Sequence, residues 1–156
     1  MSIVTPMNKR LVALASVMML VGSLAATAWA NPPGLIEVTS HNSFATTVTK
    51  MKSAIAEHGL MTLKEFNQQM MLNMVGVHSP AQVTFEIFHP KYGATVYSTN
   101  RLGFLAVPLR VTVLQQGGAV KIAYVKPSDA LAPYGLSGLG EQLDPIVSAI
   151  VAAAAQ

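Results

Sequence analysis

The sequence predicts an α+β domain built around an antiparallel hairpin, and three observations predict it. From Val83 to Ile87, apolar Val83, Phe85 and Ile87 alternate with Thr84 and Glu86, the period of two of a strand with one buried face. Leu109–Leu114 and Val120–Val125 are further strand-like runs, joined across Gln115-Gln116-Gly117-Gly118-Ala119 as a hairpin. From Phe44, the apolar Phe44, Val48, Met51 and Ile55 instead fall at helical spacing.

Taken in order, the chain opens with the parts of a secretory signal peptide. Lys9 and Arg10 are basic, Leu11–Leu24 is an uncharged apolar run, and Ala28-Trp29-Ala30 is a small-x-small cleavage pattern. Met7-Asn8-Lys9-Arg10 is a more usual opening than the six residues before it, so Met7 is an alternative start. The competing reading is a retained anchor, since Leu11–Ala30 just reaches the roughly 20 residues a span requires. The small residues before Asn31-Pro32-Pro33-Gly34 favour cleavage after Ala30 and a periplasmic or secreted protein.

Leu35–Thr39 reads as a first strand, and Ser43 as the N-cap of a helix that Gly59 closes. Met61–Phe66 reads as a second strand and Asn67–Val75 as a short Met-rich helix ended by Gly76. After the strand Val83–Phe88, Pro90 suits the first position of a helix running to Tyr97, with His89 at the junction. Gly93 weakens that helix by about 1 kcal/mol relative to alanine. Arg101–Pro108 reads as a loop.

In the hairpin, a four-residue loop Gln115–Gly118 sets Val113 opposite Val120, Val111 opposite Ile122 and Leu109 opposite Tyr124. A slip of one residue would turn every apolar partner to the wrong face. Pro127-Ser128-Asp129 starts a turn or short helix, and Tyr134–Gly140 reads as a glycine-rich linker. Asp144-Pro145 then caps a final Ala-rich helix, 145–155, too short to cross a bilayer and expected to pack on the sheet or on a second subunit.

Composition narrows the function. Without the leader, eight basic residues face seven acidic ones, so the high overall pI owes much to Lys9 and Arg10. There is no basic stripe to meet phosphates, and nucleic acid is not an expected partner. The 126 residues from Asn31 onward can bury roughly two-thirds of their unfolded surface. With no cysteine, packing alone must hold an exported domain together.

The helix Phe44–Glu57 with His58-Gly59, the strand Val83–Phe88 running into His89-Pro90-Lys91, Val107-Pro108-Leu109-Arg110-Val111, the Gly117-Gly118 turn and Ala123-Tyr124-Val125 with Pro127 and Ser128 occur here in one order and spacing. Over about Ser40–Gly135 the sequence resembles the family catalogued as domain of unknown function 302. The resemblance implies a two-layer fold, an antiparallel sheet of four to five strands with helices packed mainly on one face, able to form homodimers. It implies no activity, and the shared stretch leaves out the leader and the Ala-rich tail.

The catalytic kit is sparse, and the chain is not expected to be an enzyme. Gly135-Leu136-Ser137-Gly138 is one residue short of a nucleophile elbow and sits in the expected linker. No CxxC, HExxH or P-loop pattern occurs. Glu141 and Asp144 straddle the expected helix start, where carboxylates stabilise the helix dipole.

Met70, Met74 and His78 are spaced by four, and thioethers with imidazole suit Cu(I). Gly76 interrupts that spacing, and methionine also fills cores, which is the favoured use here. His89 can ligate a metal or haem, bind an acidic ligand, or donate to a nearby carbonyl and cap the junction; the structural use is favoured. Tyr92, Tyr97 and Tyr124 are expected either to line a pocket beside His89 or to serve as core aromatics with hydroxyls at the rim. The resulting expectation is an exported module binding a small ligand or an envelope protein, without a cofactor. Copper or haem binding is the alternative.

Overall fold

Period-two runs become strands and period-3.6 runs become helices in the computed structural model, which describes residues 31–156. In order they are β1 (Leu35–Ser40), α1 (Phe44–Glu57), β2 (Met61–Asn67), α2 (Gln68–Asn73), β3 (Gln82–Phe88), α3 (Pro90–Thr99), β4 (Leu109–Gln116), β5 (Ala119–Val125), α4 (Pro127–Leu131) and α5 (Ser137–Ala155). The leader reading and the alternative start at Met7 lie outside the described residues. Among the described residues, no helix is long and apolar enough to cross a membrane.

The strands form one antiparallel sheet in the order β1-β5-β4-β3-β2. Phe85 stands opposite Val111, Val111 opposite Tyr124, and Tyr124 opposite Ile36, so one row of apolar side chains crosses four strands on a single face. Helices α1 and α5 cover that face with Met51, Ile55, Val147 and Ile150, completing a two-layer α+β fold. Ser43 caps α1 by accepting from the Thr46 amide, and Gly59 closes it in left-handed backbone at φ +73°.

The hairpin differs from expectation. Gly117 and Gly118 both take left-handed backbone, at φ +60° and +82°. Such a two-residue turn matches the twist of the strands it joins. Gln115 and Gln116 therefore stay in β4, and the pairing moves by two positions: Val113 meets Ile122 and Val111 meets Tyr124. An even slip keeps the same faces, so Val111, Val113 and Ile122 are fully buried as expected.

The second correction concerns 134–144. The expected linker holds only at Gly135 (φ +70°); from Ser137 the chain is helical, and Asp144-Pro145 lies inside α5 instead of starting it. Burial on one stripe, Leu139, Leu143, Val147, Ile150, Val151 and Ala154, outweighs the backbone bond that Pro145 removes. Gly140 has a packing reason. A Cβ there would lie 2.4 Å from the Ser128 Cα and 2.6 Å from its nitrogen, so α4 and α5 touch backbone to backbone. Asp144 reinforces the contact, its Oδ1 accepting the Ser128 amide at 2.9 Å. At the far end the Ala155 carbonyl accepts the His41 amide at 2.9 Å, fastening the Ala-rich tail to the end of β1.

The expected loop after α3 begins as a turn of 3-10 helix, Arg101–Leu105, which Asn100 caps by accepting from the Leu102 amide.

Candidate functional site

The junction of β3 and α3 is built as the local sequence requires. Pro90 occupies the first helical turn, and His89 is the N-cap, its Nδ1 accepting the Lys91 amide at 3.0 Å. The capping role is therefore filled by accepting an N–H, not by donating to a carbonyl. With Nδ1 an acceptor, the proton of the neutral ring sits on Nε2. Gly93 earns its place against Phe88, whose Cζ would lie 2.5 Å from an added Cβ.

The His89 and Tyr92 rings lie 5.6 Å apart, tilted by 59°. They rim a cavity of about 20 Å³ whose walls are otherwise apolar, among them Leu60, Val96, Leu139 and Leu143. That is room for about one water molecule, so the cavity is a gap in the core and not a seat for an organic ligand.

The other two tyrosines lie elsewhere. Tyr97 is on the outer face of α3, 57% exposed, with the Arg101 guanidinium 4.5 Å from its ring centroid and donating to its hydroxyl at 3.0 Å. Tyr124 is 8% exposed on the inner face of β5, in a groove shared with Lys126, Asp144 and Ser148. Burial holds its phenol above the usual range, with Asp144 adding to the rise and the Ser148 hydroxyl and Lys126 opposing it.

For Asp144, burial pushes the carboxyl up. The Ser128 amide and hydroxyl and the Lys126 ammonium, 3.3 Å from Oδ2, outweigh it and hold the group below the ordinary carboxylate range. This cluster supplies α4 with the cap its own sequence lacks, since Lys126 contributes no capping side chain.

The Met-rich segment is where expectation and structure part most. Asn67 caps α2 by accepting from the Met70 amide, and Gly76 ends the turn that follows at φ +78°. His78 thus falls beyond the helix, out of line with Met70 and Met74. The methionines do not fill the core: Met70 is 57% exposed and Met74 79%. Met71, Leu72, Val75 and Val77 are exposed too, as are Met61 and Leu63 on β2, one of the two edge strands. A six-residue helix lacking any charged side chain, followed by a left-handed glycine, was the legible sign that, among the described residues, no element covers the apolar side chains of this segment. Among the described residues, no group of three or more His, Asp or Glu side chains is placed to hold a metal ion.

The family model for DUF302, a domain of unknown function, matches residues 36–155. The match runs through α5, beyond the Ser40–Gly135 stretch of resemblance. A crystal structure of an uncharacterized conserved DUF302 protein from Bacillus stearothermophilus superposes with a TM-score of 0.73 at 20% identity, covering 79% of this chain and 98% of that one. At that identity the likeness speaks for the fold. No curated protein matches the chain.

Proposed function

The chain belongs to the DUF302 family, and from that premise we propose a non-enzymatic binding module that works outside the cytoplasm as a homodimer joined through β2 and α2. One observation carries the reading: six of the eight residues from Met70 to Val77 have large apolar side chains, and all six are exposed. Apolar surface of this kind, beside an edge strand with unpaired backbone groups, calls for a partner. Flexible methionine suits a contact that must mould itself to another surface.

A second copy is the partner proposed. An edge strand in an antiparallel sheet can pair with its own copy about a two-fold axis, and two-fold dimers are the commonest assemblies. The uncharged α2 argues against an anionic membrane as the occupant, because surface-bound helices carry Lys and Arg on their polar face. The leader pattern supports a site of action beyond the inner membrane, and the missing catalytic motifs support a binding role. Sedimentation equilibrium tests the dimer: the protein should weigh twice its chain mass, and Met74→Glu should return it to one. A single-chain mass at every concentration would sink the reading.

Exposure of Met70 and Met74 one helical turn apart favours a second reading, Cu(I) held by their two thioethers without His78, which lies out of line. Titration with Cu(I) under reducing conditions tests it. Binding that Met70→Leu and Met74→Leu both abolish supports the site, and no uptake at micromolar metal removes it.

A further inference from the structure

The face of the sheet opposite α1 and α5 carries a groove of about 390 Å³, lined by Phe66, Gln68, Thr84, Arg110 and Thr112. That is the size of a small organic ligand. The register explains how these residues meet. Phe66 stands opposite Thr84 and Thr84 opposite Thr112, so three adjacent strands present them on one face. Arg110, two residues before Thr112, shares that face, and Gln68 reaches back from the start of α2.

The hydrogen bonds leave donors over. Gln68 Nε2 donates to Thr84 Oγ1 at 2.7 Å, and Thr84 Oγ1 lies 2.8 Å from Thr112 Oγ1. The threonine pair owns two hydroxyl protons and only one lies between the oxygens. Whichever threonine donates, the proton of the other is left for an outside acceptor. Arg110 gives Nε–H and one Nη2–H to a single oxygen of Glu86, at 3.2 and 2.9 Å. Its side chain is 70% exposed, so the rest of the guanidinium faces outward. Along the same row Lys64 stands opposite Glu86 and Glu86 opposite Arg110, so two cations flank one carboxylate and favour an anion. Gln68 Oε1 is shut from solvent without a partner, so Thr84 is the amide's one hydrogen-bond partner among the described residues.

We propose that this groove binds a small aromatic carboxylate. The carboxylate takes one donor from Arg110 and one from the Thr84–Thr112 pair, a charge-assisted arrangement, while the ring lies against Phe66. The groove borders the proposed dimer surface, sharing Phe66 of β2 and Gln68 of α2 with it, but its donors Thr84, Arg110 and Thr112 lie on β3 and β4.

Benzoate titrated into the 15N-labelled protein is the test, with acetate (no ring) and benzyl alcohol (no charge) as comparison ligands. Benzoate should give saturable shifts centred on Phe66, Thr84, Arg110 and Thr112, and each comparison ligand should bind about tenfold more weakly. Phe66→Ala and Arg110→Gln should each weaken benzoate severalfold, the spectra themselves reporting that the fold is kept. Should Arg110→Gln disturb the sheet, Phe66→Ala decides alone, because it leaves every charge and every donor in place. Shifts centred on His89, acetate binding as well as benzoate, unchanged affinity in Phe66→Ala, or no saturable shift at millimolar benzoate would each overturn the proposal.

Discussion

Adding one methyl group at Gly140 should unfold part of what holds α5 to α4. A glycine-to-alanine change inside a helix normally stabilises by about 1 kcal/mol. Here the new Cβ would sit 2.4, 2.6 and 2.7 Å from the Ser128 Cα, the Ser128 nitrogen and the Pro127 oxygen. These are backbone atoms, so no side chain can swing away, and α4 must retreat by roughly 1.1–1.6 Å to restore ordinary contact at about 3.5–4.0 Å. Overpacking of this kind costs about 1–3 kcal/mol. The retreat also stretches the bond from the Ser128 amide to Asp144, worth about 1.5–3 kcal/mol for a charged acceptor. Set against the gain in propensity, the net loss is about 1.5–5 kcal/mol, the upper end reached only if that bond breaks altogether.

Gly138 provides the control. It lies two residues earlier in the same helix with nothing within 4 Å of an added Cβ, so Gly138→Ala should be neutral or stabilise by up to about 1 kcal/mol. Urea denaturation of the two variants beside the parent protein reads both effects. Opposite signs are expected. If both variants fell within about 0.5 kcal/mol of the parent, the backbone contact between α4 and α5 would be refuted and 137–140 would behave as the loose linker its composition suggests.

Asp144→Ala should cost about 1–2 kcal/mol by uncapping α4. Its pH dependence has a definite sign. Because the folded carboxyl titrates below its ordinary value, the stability it lends is fully present above the unfolded pKa of about 3.9. It is lost as the pH falls through the folded pKa. The gap between the parent protein and Asp144→Asn in urea midpoint should therefore be open at neutral pH and close in acid; a gap that widened in acid would reverse the assignment. His89→Ala should cost about 1 kcal/mol through the lost N-cap while His89→Asn, itself a good cap, should cost almost nothing. Equal losses in thermal denaturation would mean that His89 acts through something other than capping.

Much of the fold was legible because its period was unbroken. Val83, Phe85 and Ile87, and the face of Val111 and Ile122, declare themselves by alternation, and α1 carries both its cap and its closing glycine. The hairpin register was not legible from the apolar pattern, which tolerates any even slip; it depended on both Gly117 and Gly118 turning left-handed. Glycine misled again at 134–140, where composition suggests a linker. Leu139 and Leu143 already stand in step with Val147, but Gly140 is needed for a backbone contact with α4 that no local pattern announces.

The site was less legible still. Of four residues expected around one pocket, His89 and Tyr92 meet, while Tyr97 and Tyr124 sit on other surfaces. Spacing along the chain cannot reveal that. Met70 and Met74 read as core because methionine commonly is; among the described residues no element covers their side of α2. The groove across Phe66, Thr84 and Thr112 appears only once three strands are in register.

Amide hydrogen exchange across residues 61–77, followed at low and high protein concentration, probes the proposed pairing surface most directly. If a second copy covers β2 and α2, protection there should rise with concentration and disappear in Met74→Glu, while the buried amides of β4 stay unchanged. Exchange at 61–77 that ignored both concentration and the substitution would contradict the account.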